Sequence, residues 1–196
     1  MLRPLFWFGE RAGGEALDAV RDQFAVGPAL MQAPRLVAGV IKRRVLLPAG
    51  GWYDLSLGRW LAGDVAIEAP ADAIDPKVPR IRSPFYAREG TIIPMQSGQP
   101  TDHRVVLDDI ELHVFLHTDG SARIEFRADD GENFGYRRGQ RSPFAATVTA
   151  TTDTLEVVPE VSTAGWRPLR IRFVVYGGQR QVWIAGGPVL DLVPHT

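Results

Sequence analysis

Apolar and polar residues alternate with a period of two through most of the second half of this chain. In IELHVFLH, Leu112, Val114 and Leu116 fall on one side, with Glu111, His113 and His117 on the other. SARIEFRAD sets Ala122, Ile124 and Phe126 against Arg123, Glu125 and Arg127, and LRIRFVVYG gathers Leu169, Ile171, Phe173 and Val175 on one face. Successive side chains leave a strand on opposite sides, so this pattern predicts strands with one buried face and one wet face. Asp119-Gly120 reads as a hairpin turn. ATVTATTDTLEVV reads as two strands about Thr152-Asp153, and QVWIAG as a last strand.

The stretch from residue 40 predicts antiparallel β structure too. RRVLLP opens a strand. GWYDLSLGRW reads as a hairpin turning at Ser56–Gly58, with aromatic residues on both arms. DVAIEAP alternates, ADAIDPKVP (71–79) reads as a loop, and RIRSPFYAR and TIIPM read as strands joined at Glu89-Gly90. QSGQPTD, residues 96–102, is polar and aperiodic with Gly and Pro, the pattern of a linker.

Residues 1–35 have another texture. LRPLFWF is a near-continuous apolar run, as in a strand buried on both faces. After Gly13-Gly14, Ala16, Ala19, Val20 and Phe24 fall at helical spacing and predict a short helix. AVGPALMQAP reads as a second buried strand ended by Pro34. Strand, helix, strand is the βαβ pattern of a parallel sheet. One such unit cannot cover both faces of its own sheet, so the segment reads as the tail of a larger α/β domain.

Composition narrows the function classes. With 196 residues, 45% of them hydrophobic, the chain can bury a core in one large domain or two small ones. Its 20 Gly and 15 Pro are dispersed, as befits many short strands with tight turns. Formal net charge is −1, from 22 basic and 23 acidic residues, which gives no electrostatic reason to expect nucleic acid or an anionic membrane. No apolar run approaches the roughly 20 residues of a spanning helix, and MLRPLFWFGE is too short for a secretory signal. The absence of cysteine excludes disulfides and thiol catalysis and favours a reducing, cytoplasmic setting.

Five stretches, in order, resemble glycoside hydrolase family 31. RPLFWF is similar to that family's R-P-L-F or R-P-L-W barrel strand, and DQFAVGPALMQAP to its last barrel strand. RRVLLPAGGWYDLSLGRW resembles the proximal sandwich pattern L-P-x-G-x-W-Y-D-x-x-x-G. SPFYAREGTIIPM resembles P-x-F-x-R-x-G-x-I-I-P, and ADDGENFGYRRGQ resembles the distal-domain turn D-D-G-x-x-x-x-Y-x-x-G. The departures are small: Asp75-Pro76-Lys77 lengthens a loop, and Gln32 interrupts an apolar strand. The resemblance implies an all-β chain of two small antiparallel β-sandwich domains, preceded by a short βαβ remnant of a (β/α)8 barrel. The expected divisions are 1–35 (barrel tail), 36–97 (proximal sandwich) and 103–196 (distal sandwich). It also implies a retaining α-glycosidase of α-glucosidase or α-xylosidase type, working without a cofactor, as the parent enzyme. The family's W-x-D-M-N-like nucleophile strand is absent, and its acid/base lies upstream of the match. The expected partner is therefore the parent's catalytic barrel, with oligosaccharide as a second candidate. Self-association through poorly covered residues 1–35 is expected when the barrel is missing.

The remaining constellations read as structural. Retaining hydrolysis needs two carboxylates roughly 5–5.5 Å apart. Asp108-Asp109 and Asp129-Asp130 are adjacent pairs at strand ends or turns, where neighbouring side chains diverge and turn chemistry accounts for them. Asp129, Asp130, Glu132 and Asn133 offer oxygens to Ca²⁺, but not at EF-hand spacing, so Asp129-Asp130-Gly131 reads as a structural turn. His113 and His117 share a face but lie roughly 13 Å apart on a strand, too far to hold one zinc. His103 and His195 have no nearby ligand partners. No metal, cofactor or catalytic residue is assigned. Trp60, Trp166 and Trp183 are candidates for stacking on sugar rings, against burial in a core or interface, the commoner fate of tryptophan.

Overall fold

Period-two segments become strands, and the strands sort into separate sheets. The computed structural model describes residues 1–70, 73–75, 78–96, 109–128, 134–138, 142–161, 170–177, 181–184 and 190–194. The chain divides into two compact units, Met1–Glu89 and Gly90–Thr196.

The first unit runs through β1 (Leu2–Pro4), β2 (Arg11–Ala12), β3 (Glu15–Ala16), β4 (Phe24–Val26), β5 (Leu30–Gln32) and β6 (Lys42–Leu47). It continues with β7 (Gly51–Asp54), β8 (Arg59–Ala62), β9 (Val65–Pro70), β10 (Ala73–Asp75), β11 (Val78–Arg82) and β12 (Phe85–Arg88). Six of these strands form one sheet in the order β1-β4-β5-β12-β7-β8. Every pairing in it is antiparallel. β6 pairs with β9, and a core of Leu5, Phe8, Leu17, Met31, Val45, Leu47, Trp52 and Tyr86, among others, draws on both sheets. The expected β7–β8 hairpin forms: Tyr53 pairs with Trp60, and Gly58 turns the chain at φ +67°. Within the stretch expected to be the 71–79 loop, β10 instead pairs antiparallel with β11.

Residues 1–35 differ from the strand–helix–strand expectation. Leu17–Ala19 is a single 3₁₀ turn, and β2 and β3 form a small hairpin about Gly13-Gly14. β1 and β5 each pair antiparallel with β4, and β5 pairs antiparallel with β12. The physical reason lies at Gly13. Its φ is +55°, and a Cβ there would fall 2.7 Å from the Ala66 backbone N, so the turn packs tightly on β9. With Ala16 ending β3 and Phe24 opening β4, the chain between them is shorter than the dozen or so residues that a parallel crossover takes.

The second unit comprises β13 (Thr91–Gln96), β14 (Asp109–Phe115), β15 (Gly120–Ala128), β16 (Ser142–Ala150), β17 (Thr154–Val161), β18 (Arg170–Tyr176), β19 (Gln181–Ile184) and β20 (Leu190–Pro194). They make two four-stranded sheets, β13-β14-β18-β20 and β15-β16-β17-β19. Between them lies one apolar core. It takes Leu112, Val114, Ile171, Phe173 and Val175 from the first sheet, Leu116 from just past β14, and Ala122, Ala146, Val148, Leu155 and Val157 from the second. Leu112, Val114, Leu116, Ala122, Ile171, Phe173 and Val175 are on the faces that the alternation predicted, and the side chains of Phe126 and Leu169 lie outside the described residues. Not every pairing is antiparallel: β14–β18, β18–β20 and β17–β19 are parallel. Asp119-Gly120 does not close a hairpin, because β14 and β15 lie in different sheets. The turn about Thr152-Asp153 does, with the Thr151 N–H bonded to Thr154 O.

Candidate functional site

The start of the first unit carries its most exposed aromatic surface. Pro4 ends β1 in an extended conformation, and Leu5–Phe8 then winds into a 3₁₀ turn closed by Gly9, whose φ is +151°. Residues i and i+3 eclipse in a 3₁₀ turn. Leu5 and Phe8 therefore both enter the core, while Phe6 and Trp7 are thrown outward, 50% and 56% exposed. Phe8 meets the buried Trp52 edge-on, with ring centroids 5.0 Å apart, and the Trp52 Nε1–H donates to Pro48 O at 2.8 Å. Outside, the Arg3 guanidinium sits 3.9 Å from the centre of the Trp7 ring, and Leu2 in β1 is 66% exposed. A cleft of about 570 Å³ opens next to Phe6, lined also by Glu10, Arg11, Ala16 and Asp18.

Two buried polar side chains fix strands and turns elsewhere in the first unit. Gln23 is 4% exposed and grips the free edge of β6. Its Nε2–H donates to Leu46 O at 3.0 Å, and its Oε1 accepts from the Leu46 N–H at 2.9 Å. Asp54, 2% exposed, closes the β7–β8 turn, its Oδ1 accepting from the N–H groups of Ser56 (2.9 Å) and Leu57 (3.0 Å). Burial pushes its carboxyl above the usual carboxylate range. The two N–H groups, and then Arg59, pull the other way.

Of the tryptophans singled out from sequence, Trp60 is the one whose side chain lies among the described residues. Trp60 lies on edge strand β8, half-buried, its ring edge-on to Tyr53 at 5.3 Å. Trp183 pairs in register with Glu156, and its side chain lies outside the described residues, as do Trp166 and the Asp129-Asp130-Gly131 turn. Asp108, Glu132, Asn133, His103 and His195 lie outside them too. His113 is engaged in a network: Nδ1 is 2.8 Å from Tyr176 Oη, Nε2 is 3.3 Å from Glu111, and Arg172 donates to Glu111 at 2.6 Å. His117 is exposed beyond the end of β14. Among the described residues, no group of three or more His, Cys, Asp and Glu is arranged to hold a metal ion. Sequence reasoning missed Trp7, Phe6, Gln23 and Asp54 as positions of consequence. Only Asp54, an Asp two residues before a turn serine, carried a signal.

Comparison with known proteins gives this β assembly its class, the C-terminal region of a glycoside hydrolase. Within that class the match is to family 31: residues 1–93, just under half of the chain, match the glycosyl hydrolase family 31 C-terminal domain. The α-glucosidase of Hordeum vulgare is 29% identical over 191 residues, 91% of this chain and 20% of the relative. The α-glucosidase of Aspergillus niger is 31% identical over 137 residues, 68% of this chain and 13% of the relative. The crystal structure of a family 31 α-xylosidase from Xanthomonas citri superposes with a TM-score of 0.65 at 27% identity, over 84% of this chain and 17% of that one. The chain thus spans a fifth or less of the length of these three proteins.

Proposed function

We propose that this chain is the non-catalytic C-terminal β region of a retaining α-glycosidase of the α-glucosidase or α-xylosidase type, and that its first unit seats against the catalytic barrel through Leu2, Phe6 and Trp7. The carrying observation is the 3₁₀ turn at Leu5–Phe8. It buries Leu5 and Phe8 in this unit's own core and turns the adjacent Phe6 and Trp7 outward, while Leu2 in β1 is exposed as well. Two adjacent exposed aromatic side chains suit a surface that another body covers. The relatives named above, in which a chain of this length is only a small part, support the same reading. The role is mechanical: strands β1, β4 and β5 tie the aromatic turn to the six-stranded sheet, so the barrel gains a rigid buttress.

Purified alone, the chain should not turn over aryl α-glucosides or α-xylosides above buffer. Saturable turnover that survives repurification would refute the non-catalytic assignment. The cleft beside Phe6 favours a second reading, a carbohydrate-binding module, since an aromatic face with Glu10, Arg11 and Asp18 suits hydroxyl-rich ligands. Retardation of the chain in a gel containing glycogen would favour this second reading.

A further inference from the structure

Tyr86 occupies the middle of β12, in register with Met31 of β5 on one side and Asp54 of β7 on the other. Its side chain is wholly buried, yet its hydroxyl has no hydrogen-bond partner among the described residues. Buried hydroxyls are nearly always bonded, because one that has given up water and gained nothing destabilises the fold. The Ser83 hydroxyl, three residues earlier, is in the same position. Tyr86 also lines a small cavity of about 10 Å³ with Asp54, Ser56, Leu57, Ala69 and Pro84. That volume is about what one water molecule requires.

The lining supplies the chemistry as well as the space. Asp54 engages its two backbone donors through Oδ1 and has a second carboxylate oxygen to offer. The Ser56 hydroxyl donates to Ser83 O at 3.3 Å and keeps lone pairs free to accept. We infer that this cavity is a binding site for a single ordered water molecule, which accepts from the Tyr86 O–H and donates to the Asp54 carboxylate and the Ser56 hydroxyl. That gives the water three polar partners, the usual number for an internal water. A cation would call for a fuller shell of oxygens than one carboxylate and two hydroxyls provide. The water joins the β7–β8 turn to β12, adding to the Ser56–Ser83 hydrogen bond and the backbone ladder between β7 and β12.

The test uses the whole chain. Substituting Tyr86→Phe removes the hydroxyl and little else. If the hydroxyl is bonded to water, Tyr86→Phe lowers the urea midpoint. If the cavity is dry, the variant loses an unpartnered polar group, and the midpoint stays put or rises, which would overturn the inference. Water–proton cross-relaxation in the wild-type NMR spectrum should show a bound water near the Tyr86 ring and the Leu57 amide, and this alone decides the matter if Tyr86→Phe does not fold. No such cross-peak in the wild type, or a midpoint that depends on the choice of monovalent cation in the wild type but not in Tyr86→Phe, would also overturn it.

Discussion

Gln23 is the most exacting test of how the first unit is held together. It does the work of a missing strand. Its amide presents one donor and one acceptor to Leu46 on the edge of β6 that β9 leaves open, at 3.0 and 2.9 Å. Gln23→Leu keeps the size and removes both bonds, leaving a buried N–H and a buried C=O without partners. Each orphaned group costs about 1–3 kcal/mol, and the new apolar contact beside Met31 offsets part of this, so the net loss is about 2–4 kcal/mol. That is a large share of the about 5–15 kcal/mol that holds a domain folded. Gln23→Glu should behave differently. At neutral pH it sets a carboxylate against the Leu46 carbonyl oxygen, and burial raises its pKa. Its stability is then retained below the ordinary Glu value of about 4.3 and lost as pH rises through the raised one. Urea unfolding followed by the fluorescence of Trp52, which is buried in the same core, reads both variants. A Gln23→Leu midpoint within about 0.5 kcal/mol of wild type, which is the scatter of ordinary surface changes, would refute the claim that this side chain completes the β6 edge.

Two further perturbations follow. Asp54→Asn keeps the Oδ1 acceptor for Ser56 and Leu57 but removes a buried charge whose pKa is raised. In the wild type this carboxyl contributes stability below its unfolded value of about 4 and loses it as pH rises through the raised folded value. Asp54→Asn should therefore gain on wild type at pH 7 and lose that advantage near pH 3, as read by urea midpoints at the two values. A clear loss at pH 7 would mean that the backbone donors and Arg59 hold the charge favourably. Deleting residues 1–35 should abolish cooperative unfolding of the first unit, because Leu5, Phe8, Leu17, Ala25 and Met31 lie in its core and β5 pairs with β12. A soluble remainder with an unchanged near-ultraviolet spectrum would show instead that the segment is a dispensable tail.

The sandwich of the second unit was readable because its strands are half-buried, and half-burial writes a period of two into the chain. Ile171, Phe173 and Val175 are a clear case. The direction of pairing left no such mark, since a strand alternates alike beside a parallel or an antiparallel neighbour, and β14–β18 and β17–β19 are parallel. In residues 1–35 the elements are two to four residues long, too short for any period to declare itself. Ala16 and Ala19 fell at helical spacing yet are exposed, while Leu17 between them is buried. LRPLFWF read as a doubly buried strand because nothing in the run announced the 3₁₀ turn that sends Phe6 and Trp7 outward. Gln23 was hidden for a related reason: its partner is the backbone of a residue 23 positions away, and side-chain patterning carries no record of a backbone edge.

The central claim is that Leu2, Phe6 and Trp7 form the seat for a catalytic barrel. Isothermal titration of the chain into a family 31 catalytic fragment lacking its own C-terminal region tests it directly. Covering the exposed half of two aromatic side chains contributes about 2 kcal/mol each, so Phe6→Ser with Trp7→Ser should weaken binding about a hundredfold or more while the melting temperature of the chain alone holds. Sedimentation of the isolated chain should show self-association that the same double substitution removes. Binding that is unaffected by the double substitution, or no binding by a folded wild-type chain, would contradict the account.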